Sequence, residues 1–382
     1  MRSEHSTNRN GLESAAPPRK RVAVIGAGGN IGSHLVLHLA RMSDLEKAVL
    51  IDGDSYETSN LFSQDIALPD IGERKAVIQA RRMRRVNPNL RVTALPLRVE
   101  EVPAGFLRAD VVLACLDSRA ARQYVNEVAW RLGVPWIDSG VDGDNQLARI
   151  SVFFPGPENP CLECGWGPRD YELVDQRYPC SSRDAVPKTG FSTNAPSHLG
   201  ALAASLQAME CRKVLDGALE QPAAASEVLL DARHRRFFLS SIRRNPGCLM
   251  DHTSWPLRDA ACRPESTVLS EVLAGSSSAG GANGLALEVL GSRFVRRLTC
   301  TGCGEAAEVW RLERSIRAEE RTCPRCGGTR IGAGFDITDR LTIGEIPEPV
   351  LQRSLGEFGI RRQDILRVGE PGSERPIEVI AG

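Results

Sequence analysis

Arg21-Val-Ala-Val-Ile-Gly-Ala-Gly-Gly-Asn-Ile-Gly32 is the stretch that decides the fold. The run 21–25 is rich in β-formers and reads as a short buried strand. Gly26, Gly28, Gly29 and Gly32 follow as a tight loop, and an apolar helical pattern continues through Leu35, Leu39 and Met42. Between a strand and a helix, such a loop lets the backbone approach phosphates closely. The helix N-terminus adds N–H donors and a favourable dipole. Working outward, strands are expected over 47–51, 90–95, 110–116 and 136–139. Helices are expected over 74–85, stopped by Asn87-Pro88, and over 118–132. Alternation of this kind implies an α/β domain, a Rossmann-like sheet with helices on both faces.

The texture changes beyond 150. A strand over 152–154 leads into a Pro/Gly/Cys-rich stretch over 155–196, a helix over 199–215 and strands over 227–232 and 236–242. Residues 275–284, Gly-Ser-Ser-Ser-Ala-Gly-Gly-Ala-Asn-Gly, have the composition of a linker. The expected organisation is a disordered tail over 1–20, the main domain over 21–274, the linker, a zinc-ribbon module over 285–340 and a small helix–strand tail over 341–382. That tail carries a helix over 349–358 and a strand over 364–368.

Lys plus Arg equals Asp plus Glu, 48 of each. Zero net charge argues against a nucleic-acid or anionic-membrane binder. No apolar run approaches the roughly 18 residues of a spanning helix, and residues 1–20 lack the apolar core of a signal peptide. A cytoplasmic protein is expected. Six of the 11 cysteines fall in three C-x-x-C pairs, which without an export signal points to metal rather than disulfides.

A nicotinamide-dependent dehydrogenase fits the glycine loop nearly as well as any other reading. Asp52, which ends the second expected strand, can accept hydrogen bonds from a ribose hydroxyl. The next residues separate the readings: Asp54, Asn60, Lys75 and Asp117 stand in order behind the loop, with Arg122 beyond. Hydride transfer has no evident need of them. Nucleotidyl transfer does, because Lys75 can neutralise phosphate charge and Asp117, at a strand's carboxyl end, can hold Mg²⁺.

From Arg21 to about Gly217 the chain resembles the ThiF/MoeB superfamily, which includes the ubiquitin-activating enzymes. The matching segments are Val24-Ile-Gly-Ala-Gly-Gly, Leu50-Ile-Asp-Gly-Asp, Ser59-Asn-Leu, Asp70-Ile-Gly-x-x-Lys75, Asn87-Pro, Asp110-Val-Val-Leu-Ala-Cys-Leu-Asp117, Cys161-Leu-Glu-Cys164 and Ser205-Leu-Gln-Ala-Met-Glu-Cys-Arg-Lys213. The resemblance implies an eight-stranded mixed sheet, usually a homodimer. It implies ATP-dependent adenylation of the C-terminal carboxylate of a small ubiquitin-like or sulfur-carrier protein, with a downstream conjugating protein as a further partner. By motif match, Asp52 binds ribose, Asn60 and Lys75 the phosphates and Asp117 the metal. Two departures stand out. The family reads Ser-Asn-Leu-x-Arg-Gln where this chain has Ser63, and the Arg-bearing helix that usually precedes the first strand is not evident. Arg119 or Arg74 is the candidate substitute. An inactive scaffold is the alternative if neither serves.

Cys300-x-x-Cys303 and Cys323-x-x-Cys326 have the spacing of a structural zinc ribbon, with four thiolates and no open coordination position. Cys161 and Cys164 need two more ligands. Family members commonly take them from a later C-x-x-C, and here the matching place holds Cys248 and His252, with Cys262 as rival to His252. Cys115 and Cys211 lie in apolar patterns and read as core residues. Cys180 sits in a polar, Pro-broken segment between Arg177 and Arg183, which favour thiolate. In the family a cysteine in this crossover region often attacks the adenylate, so Cys180 is the candidate nucleophile.

Overall fold

In a computed structural model of the chain, residues 19–175, 195–218, 225–260, 262–274, 285–369 and 375–379 are described. The elements run β1 (Lys20–Ile25), α1 (Gly32–Leu39), β2 (Leu45–Ile51), α2 (Lys75–Val86), β3 (Arg91–Leu95), β4 (Val111–Ala114), α3 (Arg119–Leu132), β5 (Trp136–Asp142), β6 (Leu147–Phe153), α4 (Pro168–Asp175), α5 (Ser197–Leu215), β7 (Ala225–Asp231) and β8 (Arg236–Ile242). The eight strands form one sheet in the order β3-β2-β1-β4-β5-β6-β7-β8. Strands β3 to β5 pair in parallel, and β6, β7 and β8 join antiparallel. The sheet is mixed, as the family resemblance implies.

Strand β1 lies at the centre because both of its faces are apolar. Val22 and Val24 point into a cluster with Leu35, Leu39, Leu199 and Ala203 of α1 and α5. Ala23 and Ile25 point the other way, to Val125 and Trp130 of α3 and to Trp136. Period-two alternation thus supplies two cores from one strand. Helix α3 starts where Ser118 Oγ accepts the Ala121 N–H at 3.4 Å and stops at Gly133, whose φ of +66° suits glycine.

The chain continues through β9 (Arg258–Ala260), α6 (Leu269–Ala274), β10 (Ala286–Val289), β11 (Phe294–Cys300), β12 (Ala306–Leu312), β13 (Arg330–Ile331), β14 (Ile337–Thr338), β15 (Arg340–Thr342), α7 (Glu348–Leu351), β16 (Ile365–Gly369) and β17 (Arg375–Val379). A second sheet has the order β15-β10-β16-β17-β9, and a third β12-β11-β13 with β14 also on β11. Strand β10 lies between β15 and β16, so residues on either side of position 340 share one sheet. The helix expected over 349–358 is only the four-residue α7. Beyond it, Gly359 takes a φ of +82° and turns the chain back toward Ser315.

This second part packs on α3. Leu290 and Ile365 join the α3-side core. The Gly105 N–H donates to the Gln363 carbonyl at 2.8 Å. Gly291, at φ +68°, lies against Tyr124, where a Cβ would stand 2.5 Å from the phenol oxygen.

Candidate active site and metal centres

The glycine loop leaves β1 and crosses to α1 over the carboxyl edge of the sheet. It is held from three sides. Gly26 N–H donates to the Ile51 carbonyl at 2.9 Å, Gly28 N–H donates to Asp52 Oδ2 at 2.8 Å, and the Tyr56 hydroxyl donates to the Gly28 carbonyl at 3.2 Å. Close approach explains the glycines. A Cβ on Gly26 would meet the Cys115 carbonyl at 2.3 Å, and one on Gly28 would meet Lys75 Cβ at 2.4 Å.

Asp52, 8% exposed, accepts a second bond from the Asp54 N–H at 3.1 Å. Burial pushes its carboxyl above the usual carboxylate range, against the pull of Lys75 and the two N–H donors. Lys75 opens α2 and is 7% exposed. Its Nζ lies 3.4 Å from Asp54 Oδ2 and 5.7 Å from the centre of the Tyr56 ring. A lysine at the start of a helix is ordinarily a solvated side chain, so the inward placement is informative. Gln79, one turn on, donates to the Tyr56 hydroxyl at 2.6 Å. Tyr56 and Gln79 are part of the loop's support, and no sequence pattern marked them.

Asn60 caps its own turn, its Oδ1 accepting the Glu57 N–H at 2.9 Å. Asp117 is exposed three residues beyond the end of β4, and its carboxylate has no hydrogen-bond or ion-pair partner among the described residues. That is an open hard-oxygen donor, which suits Mg²⁺. Its approach is fixed by Arg122, which donates to the Leu116 carbonyl, to the Ser139 carbonyl at 3.3 Å and to Asp138 Oδ1 at 2.9 Å. Asp138 is fully buried and takes Arg149 on its other oxygen at 2.7 Å.

Neither candidate for the missing positive charge is free. Arg74 donates to the Pro96 carbonyl, and Arg119 pairs with Asp170 of α4. At Ser63 the backbone carbonyl accepts the Asn30 amide at 2.6 Å, and the same amide reaches the Ala195 carbonyl at 3.0 Å. Cys180, with Arg177 and Arg183, lies outside the described residues.

The structure brings together both predicted metal sets. Cys161, Cys164, Cys248 and His252 place their donor atoms within 4.8 Å of one another. Cys161 and Cys164 sulfurs are 3.9 Å apart, Cys161 and Cys248 3.7 Å, and Cys164 Sγ and His252 Nε2 3.6 Å. A tetrahedron with Zn–S bonds of about 2.3 Å has edges of roughly 3.8 Å, so this donor set fits zinc. His252 turns its other nitrogen, Nδ1, to the Asn159 carbonyl at 3.0 Å, which orients Nε2 toward the thiolates. Cys262 is not in this set; it packs instead against the core of the second sheet. Cys300, Cys303, Cys323 and Cys326 form the other set, with sulfur separations of 3.5 Å (Cys300–Cys326) and 3.7 Å (Cys303–Cys323). Backbone N–H groups of Cys303 and Gly302 lower the Cys300 thiol toward the thiolate that zinc takes. Cys211 is buried in the core, as expected. Cys115 abuts that core, its thiol 3.3 Å from Gln207 of α5.

A family model described as the ThiF family matches residues 16–250. The sulfur carrier protein ThiS adenylyltransferase of Escherichia coli (strain K12) is 31% identical over 232 residues, covering 60% of this chain and 84% of that protein. The molybdopterin-synthase adenylyltransferase of the same organism is 28% identical over 231 residues, covering 60% and 85%. Among solved structures, E. coli MccB with ATP is 23% identical at a TM-score of 0.47, over 61% of this chain and 66% of that one. The second and third sheets lie beyond the family match.

Proposed function

The chain belongs to the ThiF family, and on that premise we propose that it uses ATP to adenylate the C-terminal carboxylate of a small ubiquitin-like or sulfur-carrier protein. The observation that carries this reading is the buried Lys75 set against Gly28 and facing Asp52 and Asp54 across the glycine loop. A cation with little solvent around it acts strongly on phosphate charge. Asp52 takes the ribose hydroxyls, Asn60 and Lys75 the phosphates, and Asp117 the metal. Mg²⁺, when bound there, neutralises charge on the phosphates. A carboxylate oxygen of the carrier attacks the α-phosphorus, and the bond from that phosphorus to the bridging oxygen breaks. Pyrophosphate leaves and the acyl-adenylate remains. In the second half-reaction the Cys180 thiolate attacks the acyl carbon, the acyl–phosphate bond breaks and AMP departs, leaving a thioester. The enzyme works in the cytoplasm as a homodimer, and the two cysteine-rich sets hold structural Zn²⁺. The thioester step belongs to the ubiquitin-like case; if the carrier is instead a sulfur carrier of the thiamine or molybdopterin type, the adenylate passes on without it.

A scaffold reading draws on Ser63 and on the engagement of Arg74 and Arg119 by other groups. Carrier-dependent pyrophosphate–ATP exchange decides between them. The wild type should exchange, and Asp117→Ala should lose activity by a factor on the order of a hundred or more. Full exchange in Asp117→Ala refutes the site assignment, and none in the wild type with a verified carrier favours the scaffold. Cys180→Ala should keep exchange yet lose a thiol-sensitive carrier conjugate on a non-reducing gel.

A further inference from the structure

Two depressions meet along the outside of the second part of the chain and share Gly356, Ile360 and Arg361. The first, about 760 Å³, is lined by five arginines against three glutamates. Arg311 is already paired with Glu320, Arg314 with Asp364 at 2.5 Å, and Arg353 reaches the Val309 carbonyl at 3.4 Å. Arg317 and Arg361 are exposed and in no ion pair among the described residues, although Glu320 accepts the Arg317 backbone N–H at 2.9 Å and feels the Arg317 charge. The Arg314 side chain is 7% exposed, and its Nε has no hydrogen-bond partner. The second depression, about 490 Å³, is apolar along Leu95, Leu97, Phe106 and Ile360. It abuts the site loop, since the Asp52 N–H donates to the Leu95 carbonyl at 3.2 Å.

The two share one lining, apolar at one end and carrying two exposed guanidinium groups without an ion pair, Arg317 and Arg361, at the other. A lone phosphate would fill little of this volume. Glu308, Glu320 and Glu357, set among the arginines, would also repel a compact polyanion. An extended segment with spaced carboxylates can meet the arginine forks and avoid the glutamates. From this complementarity we infer that the groove docks a peptide segment of a partner protein in which acidic residues alternate with apolar ones. The apolar side chains seat between the main domain at Leu95, Leu97 and Phe106 and the turn at Ile360, and the carboxylates pair with Arg317 and Arg361.

The test uses the full-length, zinc-loaded protein and a fluorescein-labelled peptide alternating glutamate and leucine, read by anisotropy. Saturable binding is expected, weakening with added salt. A peptide with lysine for glutamate should not bind, and one with serine for leucine should bind more weakly. R317E/R361E should lose roughly tenfold or more in affinity and gain binding of the lysine peptide. R317Q/R361Q should fall between. Both positions are exposed, and unchanged zinc content and melting temperature would establish that the variants fold. Absence of saturable binding to the wild type would overturn the proposal. So would equal affinity in the charge-reversed protein. Binding of inorganic pyrophosphate that R317E/R361E abolishes, with no peptide binding, would replace the groove's occupant with a small anion.

Discussion

Arg122 touches no reacting group in the proposed reaction, yet it governs where Asp117 stands. Its fork clamps the Leu116 carbonyl, one residue from the Asp117 carboxylate, to the fully buried Asp138. Arg122→Gln leaves Asp138 with Arg149 alone, and stability should fall by about 3 kcal/mol, the lower end for a broken buried pair. As a positioning residue, it should also raise the Mg²⁺ concentration needed for half-maximal pyrophosphate exchange, with Arg122→Lys intermediate; a stability loss with unchanged Mg²⁺ dependence would limit it to a structural part. Asp52 supplies a pH prediction. Its folded-state pKa is raised, chiefly by burial, so on acidification it takes up a proton sooner than an exposed aspartate. The ionised carboxylate is therefore a cost to folding at neutral pH, relieved as pH falls through the raised pKa. Nucleotide affinity should move the other way, since protonated Asp52 no longer accepts from Gly28 and Asp54 together. Titration calorimetry from roughly pH 7 to pH 4 should show ATP binding weakening above the ordinary aspartate range near 3.9. Lys75→Met removes the opposing charge and should move that midpoint up; a downward move would contradict the assignment. At this scale the glycine loop was legible because one local segment carries it, whereas Asp52 and Lys75, at the ends of two further elements, were singled out only by their order along the chain. Tyr56, Gln79 and the Arg122–Asp138 clamp were not marked as a unit, since their partners are set by which strands become neighbours.

Elements whose signals are local were also legible. The β1–loop–α1 unit follows from apolar alternation and glycine, and α3 announces its end with Gly133. Short elements without a period of their own were missed. Helix α4 hides in a Pro/Gly/Cys-rich stretch, and β9 and β14, three and two residues long, exist only through distant partners. The pairing within each C-x-x-C was plain, whereas the placement of His252 rather than Cys262 beside Cys161 and Cys164 depended on where the chain returns after β8. Purified protein should hold two zinc ions per chain by metal analysis. His252→Ala should lose one of them and Cys300→Ser the other, while Cys262→Ser keeps both. Loss of zinc from Cys262→Ser alone would reverse the ligand choice.

At the scale of the whole molecule, the second part of the chain is built into the first. Leu290 and Ile365, 2% and 0% exposed, complete the core under α3. Ending the chain after residue 274 should expose partners of both, at about 1.5–3 kcal/mol for each side chain. Differential scanning fluorimetry should show a lower melting temperature and stronger dye binding before the transition in that truncation; an unchanged melting temperature would mean that the two parts are energetically independent. Gly291→Ala is the gentler version, because its Cβ would collide with Tyr124 in a backbone conformation that already favours glycine. A loss of about 1–3 kcal/mol is expected there. The linker composition of 275–284 gave no hint of this union, which rests on surfaces far apart in sequence. The parallel pairing of β9 with β17 carries a consequence for biosynthesis. The eight-stranded sheet has all its strands once β8 leaves the ribosome, but β9 waits for β17, whose residues follow more than a hundred positions later, roughly ten seconds at ordinary elongation rates. During that interval β9 is an unpaired edge, and the nascent chain is most exposed to chaperones and to wrong neighbours just after its first sheet is complete.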